Sequence, residues 1–205
     1  MHVHRPRPAP PPVLAQAPGD IDAVQCKCGA LLKLGKFAEA LKAFDAFPAQ
    51  TASQRYERAY CLYRLRRFDE ATRALDAVPA AERTEGFLHL QAQVLYQSGQ
   101  YAAAAELYER HFAGANAAAD LDAELKANIV AAFVSAGQPQ KVAAFLRQCG
   151  HREGAAEETY ELAYNIACAL ADLGDLGTVC LAICSLTSIT EPPTELPIPV
   201  FLSSI

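Results

Sequence analysis

The chain has 205 residues, 52% of them hydrophobic and 20% charged, which allows one domain with a real core and excludes an overall disordered chain. Its net charge of −5, from 18 basic against 23 acidic residues, argues against a dedicated nucleic-acid binder. Alanine is abundant while β-branched and aromatic residues are sparse, which excludes a strand-rich fold and predicts an all-α one.

Residues 1–12, MHVHRPRPAPPP, carry two arginines but no apolar h-region, so they read as a disordered Pro-rich N-terminus and not as a signal peptide. In the next stretch, VLAQAPGDIDA (13–23), Val13 and Leu14 look like the close of a helix. Pro18-Gly19-Asp20 is a breaker cluster, and Ile21 opens a new apolar pattern. The earlier part of that helix has no counterpart in the sequence, so the expectation is an array truncated at its start.

From there a repeat is visible. It reads LLKLGKFAEALKAFDAFP (31–48), LYRLRRFDEATRALDAVP (62–79) and LYQSGQYAAAAELYERHF (95–112), with weaker copies FVSAGQPQKVAAFLRQC (133–149) and LADLGDLGTVCLAICSL (170–186). Aligning Gly35, Arg66, Gly99, Gly137 and Gly174 gives spacings of 31, 33, 38 and 37 residues. These straddle the about 34 residues of the tetratricopeptide helix–turn–helix unit. The glycines supply a turn conformation that a Cβ penalises. Ala40, Ala71 and Ala104 fall where two helices must approach closely, Phe37, Phe68 and Tyr101 wedge between them, and Pro48 and Pro79 mark where second helices stop. Three concordant copies separate this pattern from a generic helical bundle. The fold expected is an α-solenoid of stacked helical hairpins over residues 13–186, followed by an irregular Pro-containing tail, 187–205.

Chemistry other than binding has little support. The odd count of seven cysteines, without regular short spacings or a secretory signal, points to thiols buried as small core residues in a reducing compartment. Cys26-Lys27-Cys28 lacks a second pair at zinc spacing, and Cys180 and Cys184, one helical turn apart, lack further ligands. His2 and His4 sit in the Pro-rich start, while His89, His111 and His151 belong to different repeats and have no catalytic partner at a telling spacing. Glu157-Glu158-Thr159 reads as a solvated helix start. No enzyme activity, metal or cofactor is expected. The longest apolar run, Val179–Leu186, falls far short of the ~20 residues of a membrane span. It is expected to form a helix apolar on nearly every side, which would make the chain self-associate.

Several stretches go beyond the repeat consensus: APGDIDAVQCKCGALLKLGKFAEAL (17–41), RAYCLYRLRRFDEAT (58–72), LHLQAQVLYQSGQY (88–101), ANIVAAFVSAG (127–137) and TYELAYNIACALADLGDL (159–176). In this order they resemble the N-terminal repeat region of the family of the signal recognition particle's largest subunit. The resemblance covers about residues 13–176 and looks nearest to plant members. It implies a platform that docks the partner signal recognition particle subunit, the heterodimer mate of that family. Contact with 7S RNA is then indirect, because that family's Lys-rich RNA-binding segment lies further downstream. It also implies a cytoplasmic protein, associated with the endoplasmic reticulum surface through the particle. After Leu176 the sequence no longer follows the family, so an altered or truncated end is expected as well.

In tetratricopeptide arrays the first helix of each repeat lines the groove. One face of those helices presents Tyr56, Tyr60 and Tyr63, then His89, Gln93 and Tyr96, then Asn128, and finally Tyr164 and Asn165. The first two sets follow the i, i+4, i+7 spacing of a single face. Tyrosine offers broad contact area with a polar tip, which suits peptide recognition. Each tyrosine also suits packing between repeats; it is the stripe as a whole that suggests a groove. A generic peptide-binding adaptor or co-chaperone is the alternative. It is weaker, because Lys33 and Arg64 lie near turns and do not complete a carboxylate clamp with the two asparagines.

Overall fold

In the computed structural model of the protein, the described residues are 17, 19–112, 121–150, 159–175 and 177–179. The readings made for residues 1–12, Val13 and Leu14, His151, Glu157 and Glu158, Cys180 and Cys184, and the tail 187–205 fall outside them. Of the apolar run Val179–Leu186, only Val179 is among them.

The α-helices of the described residues are α1 (Ile21–Lys33), α2 (Phe37–Ala46), α3 (Arg55–Arg64), α4 (Phe68–Asp76), α5 (Glu85–Gln97), α6 (Tyr101–Phe112), α7 (Ala123–Ser135), α8 (Val142–Gln148) and α9 (Tyr160–Asp172). Short 3-10 turns occupy Ala80–Glu82 and Pro139–Lys141. The expected all-α fold of tetratricopeptide hairpins is the one observed. Four of the first helices begin on a side-chain cap. Asp20, Thr84, Asp122 and Thr159 accept from the backbone N–H three residues on, satisfying one of the donors every helix start leaves open. Pro48 and Pro79 lie beyond the last residues of α2 and α4, as expected.

The chain divides into two compact units, Met1–Glu82 and Arg83–Ile205. In the first, α1 packs on α2, α2 on α3 and α3 on α4. Val24, Leu41, Phe44, Leu62 and Leu75 form its interior together with the small residues Cys28, Ala59 and Cys61. In the second, α5 packs on α6, α6 on α7, and α7 on α8 and α9. Its core is built around Tyr108, Phe112, Ile129, Phe133, Phe145 and Leu162.

The connection inside each hairpin has one construction. Gly35, Arg66, Gly99, Gly137 and Gly174, the five aligned positions, all take positive φ, between +58° and +80°. At each, that residue's N–H bonds to the carbonyl three residues back and the next N–H bonds to the carbonyl five back, at 2.8–3.0 Å: Gly35 to Leu32 and Lys36 to Leu31, Arg66 to Tyr63 and Arg67 to Leu62, and so on to Gly174 and Asp175. This pairing satisfies carbonyls that a helix C-terminus leaves open. The residue that closes it, Lys36, Arg67 or Gln138, is also the cap of the next element, so no slack remains between the two helices. Five positions further on stand Ala40, Ala71 and Ala104, each with no exposed surface, where the second helix crosses the first. In the fourth hairpin Val142 takes that place, and Pro139 starts a 3-10 turn before the seven-residue α8.

Arg66 is the one side-chain-bearing residue among the five, and a left-handed conformation costs a non-glycine residue ~1–2 kcal/mol. The Arg66→Gly variant is therefore expected to be more stable by about 1 kcal/mol, after the larger chain entropy of glycine is subtracted. Gly99→Ala meets no steric obstacle but inherits φ +80°, and should lose about 1 kcal/mol. Urea unfolding midpoints at an unchanged slope would show both shifts.

Candidate partner-binding residues on the first helices

The structure divides the sequence-derived stripe by exposure. Tyr60, Tyr63, Gln93, Tyr96, Asn128 and Asn165 are buried, whereas Tyr56, His89 and Tyr164 are only partly so. Along α3 the rings of Phe37 from α2, Tyr60 and Tyr63 from α3 and Phe68 from α4 run in a ladder with centroids 5.8, 6.4 and 6.2 Å apart. Phe37 and Phe68, the residues two past each turn, thus meet tyrosines of α3. Tyr101 does the same with Tyr96 at 5.0 Å, edge to face, a preferred aromatic geometry. The Tyr96 hydroxyl also lies 2.9 Å from the Ser135 hydroxyl of α7.

The two asparagines are interior. Asn165 has no exposed surface, and its side-chain amide donates to the Ala127 carbonyl at 3.1 Å, tying α9 to α7. Such a bond removes the desolvation penalty of a buried amide. Asn128 and Gln93 are equally enclosed. Of the three partly exposed positions, burial pushes the Tyr56 phenol up to about 12 and raises that of Tyr164, so both stay protonated donors.

His89 has a defined environment. Its Nδ1 lies 3.0 Å from the Tyr108 hydroxyl, and the two rings are 6.0 Å apart. Burial lowers its pKa to about 4, with the Asp122 carboxylate opposing the shift, so the ring is neutral at pH 7. It lines a cavity of about 180 Å³ together with Glu85, Gly86, Phe112, Asp122, Glu124 and Leu125. Sequence reasoning missed these neighbours. Their signal was weak, since Asp122 and Glu124 also serve as the cap and first turn of α7, where carboxylates are favoured anyway.

The cysteines divide similarly. Cys28, Cys61 and Cys149 are buried, with the Cys61 thiol pushed up to about 12 by burial, which makes it a poor thiolate. Cys168 is partly buried, but Cys26 is exposed, against the expectation that all seven are core residues. It sits on the outer face of α1, two positions from buried Cys28. Among the described residues, no three His, Cys, Asp or Glu side chains are placed to share a metal ion, and no helix is long and apolar enough to cross a membrane.

Two stability measurements follow from this arrangement. Tyr60→Ala removes a buried ring and should cost about 3 kcal/mol, whereas Tyr56→Ala, on a partly exposed position, should stay within about 1 kcal/mol. For His89 the folded pKa lies below the unfolded value, so the unfolded chain binds the extra proton. Stability from this group is complete above about pH 6.5 and is lost as pH falls toward 4. Chemical unfolding at stepped pH should show that the fall in stability over this window is shallower for His89→Gln than for the native chain.

The sequence that builds these repeats has relatives. The family model described as a putative TPR-like repeat of the signal recognition particle matches residues 19–134. Signal recognition particle subunit SRP72 of Homo sapiens is 33% identical over 159 residues, 77% of this chain and 22% of that protein, and the Canis lupus familiaris protein matches equally. SRP72 of Dictyostelium discoideum is 28% identical over 166 residues, 81% of this chain and 24% of its own. The chain thus spans about a quarter of the length of these relatives. The chain belongs to the signal recognition particle TPR-like repeat family, the family of the SRP72 subunit.

Proposed function

We propose that this chain is a scaffold of the signal recognition particle, which docks the partner particle subunit and so supports assembly of the 7S RNA-containing particle and cotranslational targeting to the endoplasmic reticulum membrane. The observation that carries this reading is the family match over residues 19–134, joined to the stripe positions on the first helices that keep exposed surface. The role is binding and not catalysis, and its place is the cytoplasm at the endoplasmic reticulum surface, reached through the particle. Partner contact falls to the stripe positions that retain exposed surface, Tyr56 in the first unit and His89 and Tyr164 in the second. The buried members Tyr60, Tyr63, Gln93, Tyr96, Asn128 and Asn165 hold those helices in place beneath them. RNA association is indirect, since phosphate contacts dominate such affinity and acidic residues outnumber basic ones by 23 to 18.

Capture of the purified chain by the partner subunit, by 7S RNA and by chaperone C-terminal peptides separates the alternatives. Binding to the partner subunit is expected; binding to chaperone tails without the partner would replace this reading with the co-chaperone one. Tyr56→Ala and Tyr164→Ala, each checked for retained helicity, should weaken partner binding by ~1–3 kcal/mol, the range of aromatic anchors. Unchanged affinity in both would remove the stripe from the interface. At about 150 mM salt the chain alone should bind 7S RNA no better than an unrelated hairpin, because non-specific phosphate binding falls steeply with salt.

A further inference from the structure

Five basic residues of the first unit sit at the turn end of its hairpins. Lys33, Lys36, Arg64, Arg66 and Arg67 are all exposed there. Lys36 is bonded to Glu39 and Arg67 to Glu70. Lys33, Arg64 and Arg66 take part in none of the ion pairs of the described residues. The two arginines are held by the aromatic ladder instead. The Arg64 guanidinium lies 4.5 Å from the centroid of the Phe37 ring and 5.6 Å from that of Tyr60, and one of its N–H groups donates to the Tyr60 hydroxyl at 2.6 Å. Arg66 lies over Phe68 at 5.6 Å, at the other end of the same ladder. A guanidinium carries five donors in a rigid fork, so Arg64 keeps most of its capacity for a carboxylate while much of its rotamer freedom is already removed.

Two more observations point the same way. Leu34, between Lys33 and the first turn, is 70% exposed, an apolar contact set among cations. Arg66 occupies the one aligned turn position where this chain places a side chain on a left-handed backbone, while the other four positions are glycine. Strain of this kind persists when the surroundings over-determine it and suggests a use for the side chain.

We propose that this edge is a docking surface for an acidic segment of a partner protein, with Arg64, Arg66 and Lys33 receiving its carboxylates and Leu34 an apolar side chain of the same segment. Nucleic acid fits less well. Three cations outside the ion pairs are few for a phosphate backbone, which offers no apolar group to an exposed leucine. An acidic peptide gains bidentate Arg–carboxylate bonds and the leucine contact together. The edge rests on the buried stripe members Tyr60 and Tyr63 but uses none of the exposed ones, Tyr56, His89 and Tyr164, and does not depend on the identity of the subunit docked there.

The test uses the full chain and a fluorescein-labelled peptide, Glu-Asp-Leu-Glu-Glu-Leu-Asp, in anisotropy titrations, with its Lys-for-Glu counterpart and an RNA hairpin as competitors. Saturable, salt-weakened binding of the acidic peptide is expected, with displacement by neither competitor. Arg66→Gly should bind about threefold more weakly and Arg64→Gln/Arg66→Gly about tenfold more weakly. Because Arg66→Gly relieves backbone strain, its loss of binding cannot be ascribed to unfolding, and a melting curve on the same sample establishes this. No binding by the native chain, equal binding by the variants, or preferential displacement by RNA would each overturn the proposal.

Discussion

The left-handed residue at the end of each first helix is the constraint on which the hairpins depend. One backbone conformation, stabilised by two hydrogen bonds back into the helix, reverses the chain within two residues and starts the next helix from the same atoms. With so short a connection the two helices cross at a fixed place, and in the first three hairpins a small side chain stands there. These are Ala40, Ala71 and Ala104, which all stand five positions after a turn and carry no exposed surface. The aromatic two positions after the turn then has one direction left, toward a first-helix tyrosine. Phe37 reaches Tyr60, Phe68 reaches Tyr63 and Tyr101 reaches Tyr96.

This chain of causes explains what was legible in the sequence. Glycine at a turn and alanine at a crossing are each nearly the only residues the geometry accepts, so both could be read from spacing. Even Arg66, which breaks the glycine rule, was placed by alignment with its neighbours. The stripe was harder. A spacing of i, i+4, i+7 shows that Tyr56, Tyr60 and Tyr63 share a face, but a first helix in these hairpins is packed on more than one side. Periodicity cannot say which side meets solvent, and Tyr60 and Tyr63 proved to be buried ladder members while Tyr56 stayed partly open. Asn165 was illegible for a related reason. A polar side chain on a helix suggests a ligand contact until the Ala127 carbonyl it bonds across the helix pair is known. Cys26 carries no signal of its own that separates it from Cys28, since the two differ only in which face of α1 they occupy.

The proposed binding role rests on what the rigid hairpins display. The interior is held by aromatic contacts, helix caps and the buried Asn165 amide bond. The first unit displays an aromatic position, Tyr56, and a basic turn edge with an exposed leucine; the second displays His89 beside a small acidic-rimmed cavity and Tyr164 on α9. The marginal stability of single-repeat interfaces makes the turns the points at which the display is held or lost.

Amide hydrogen exchange by NMR at the turn residues examines this dependence most directly. Gly35, Lys36, Arg66, Arg67, Gly99, Gln100, Gly137, Gln138, Gly174 and Asp175 lie in short connections, where an open loop would exchange within seconds. If the turns hold the hairpins, all of these amides should be protected to about the level of the helices they join, and should lose protection together with them as denaturant is added. Rapid exchange at most of these positions while the helix interiors stay protected would contradict the account.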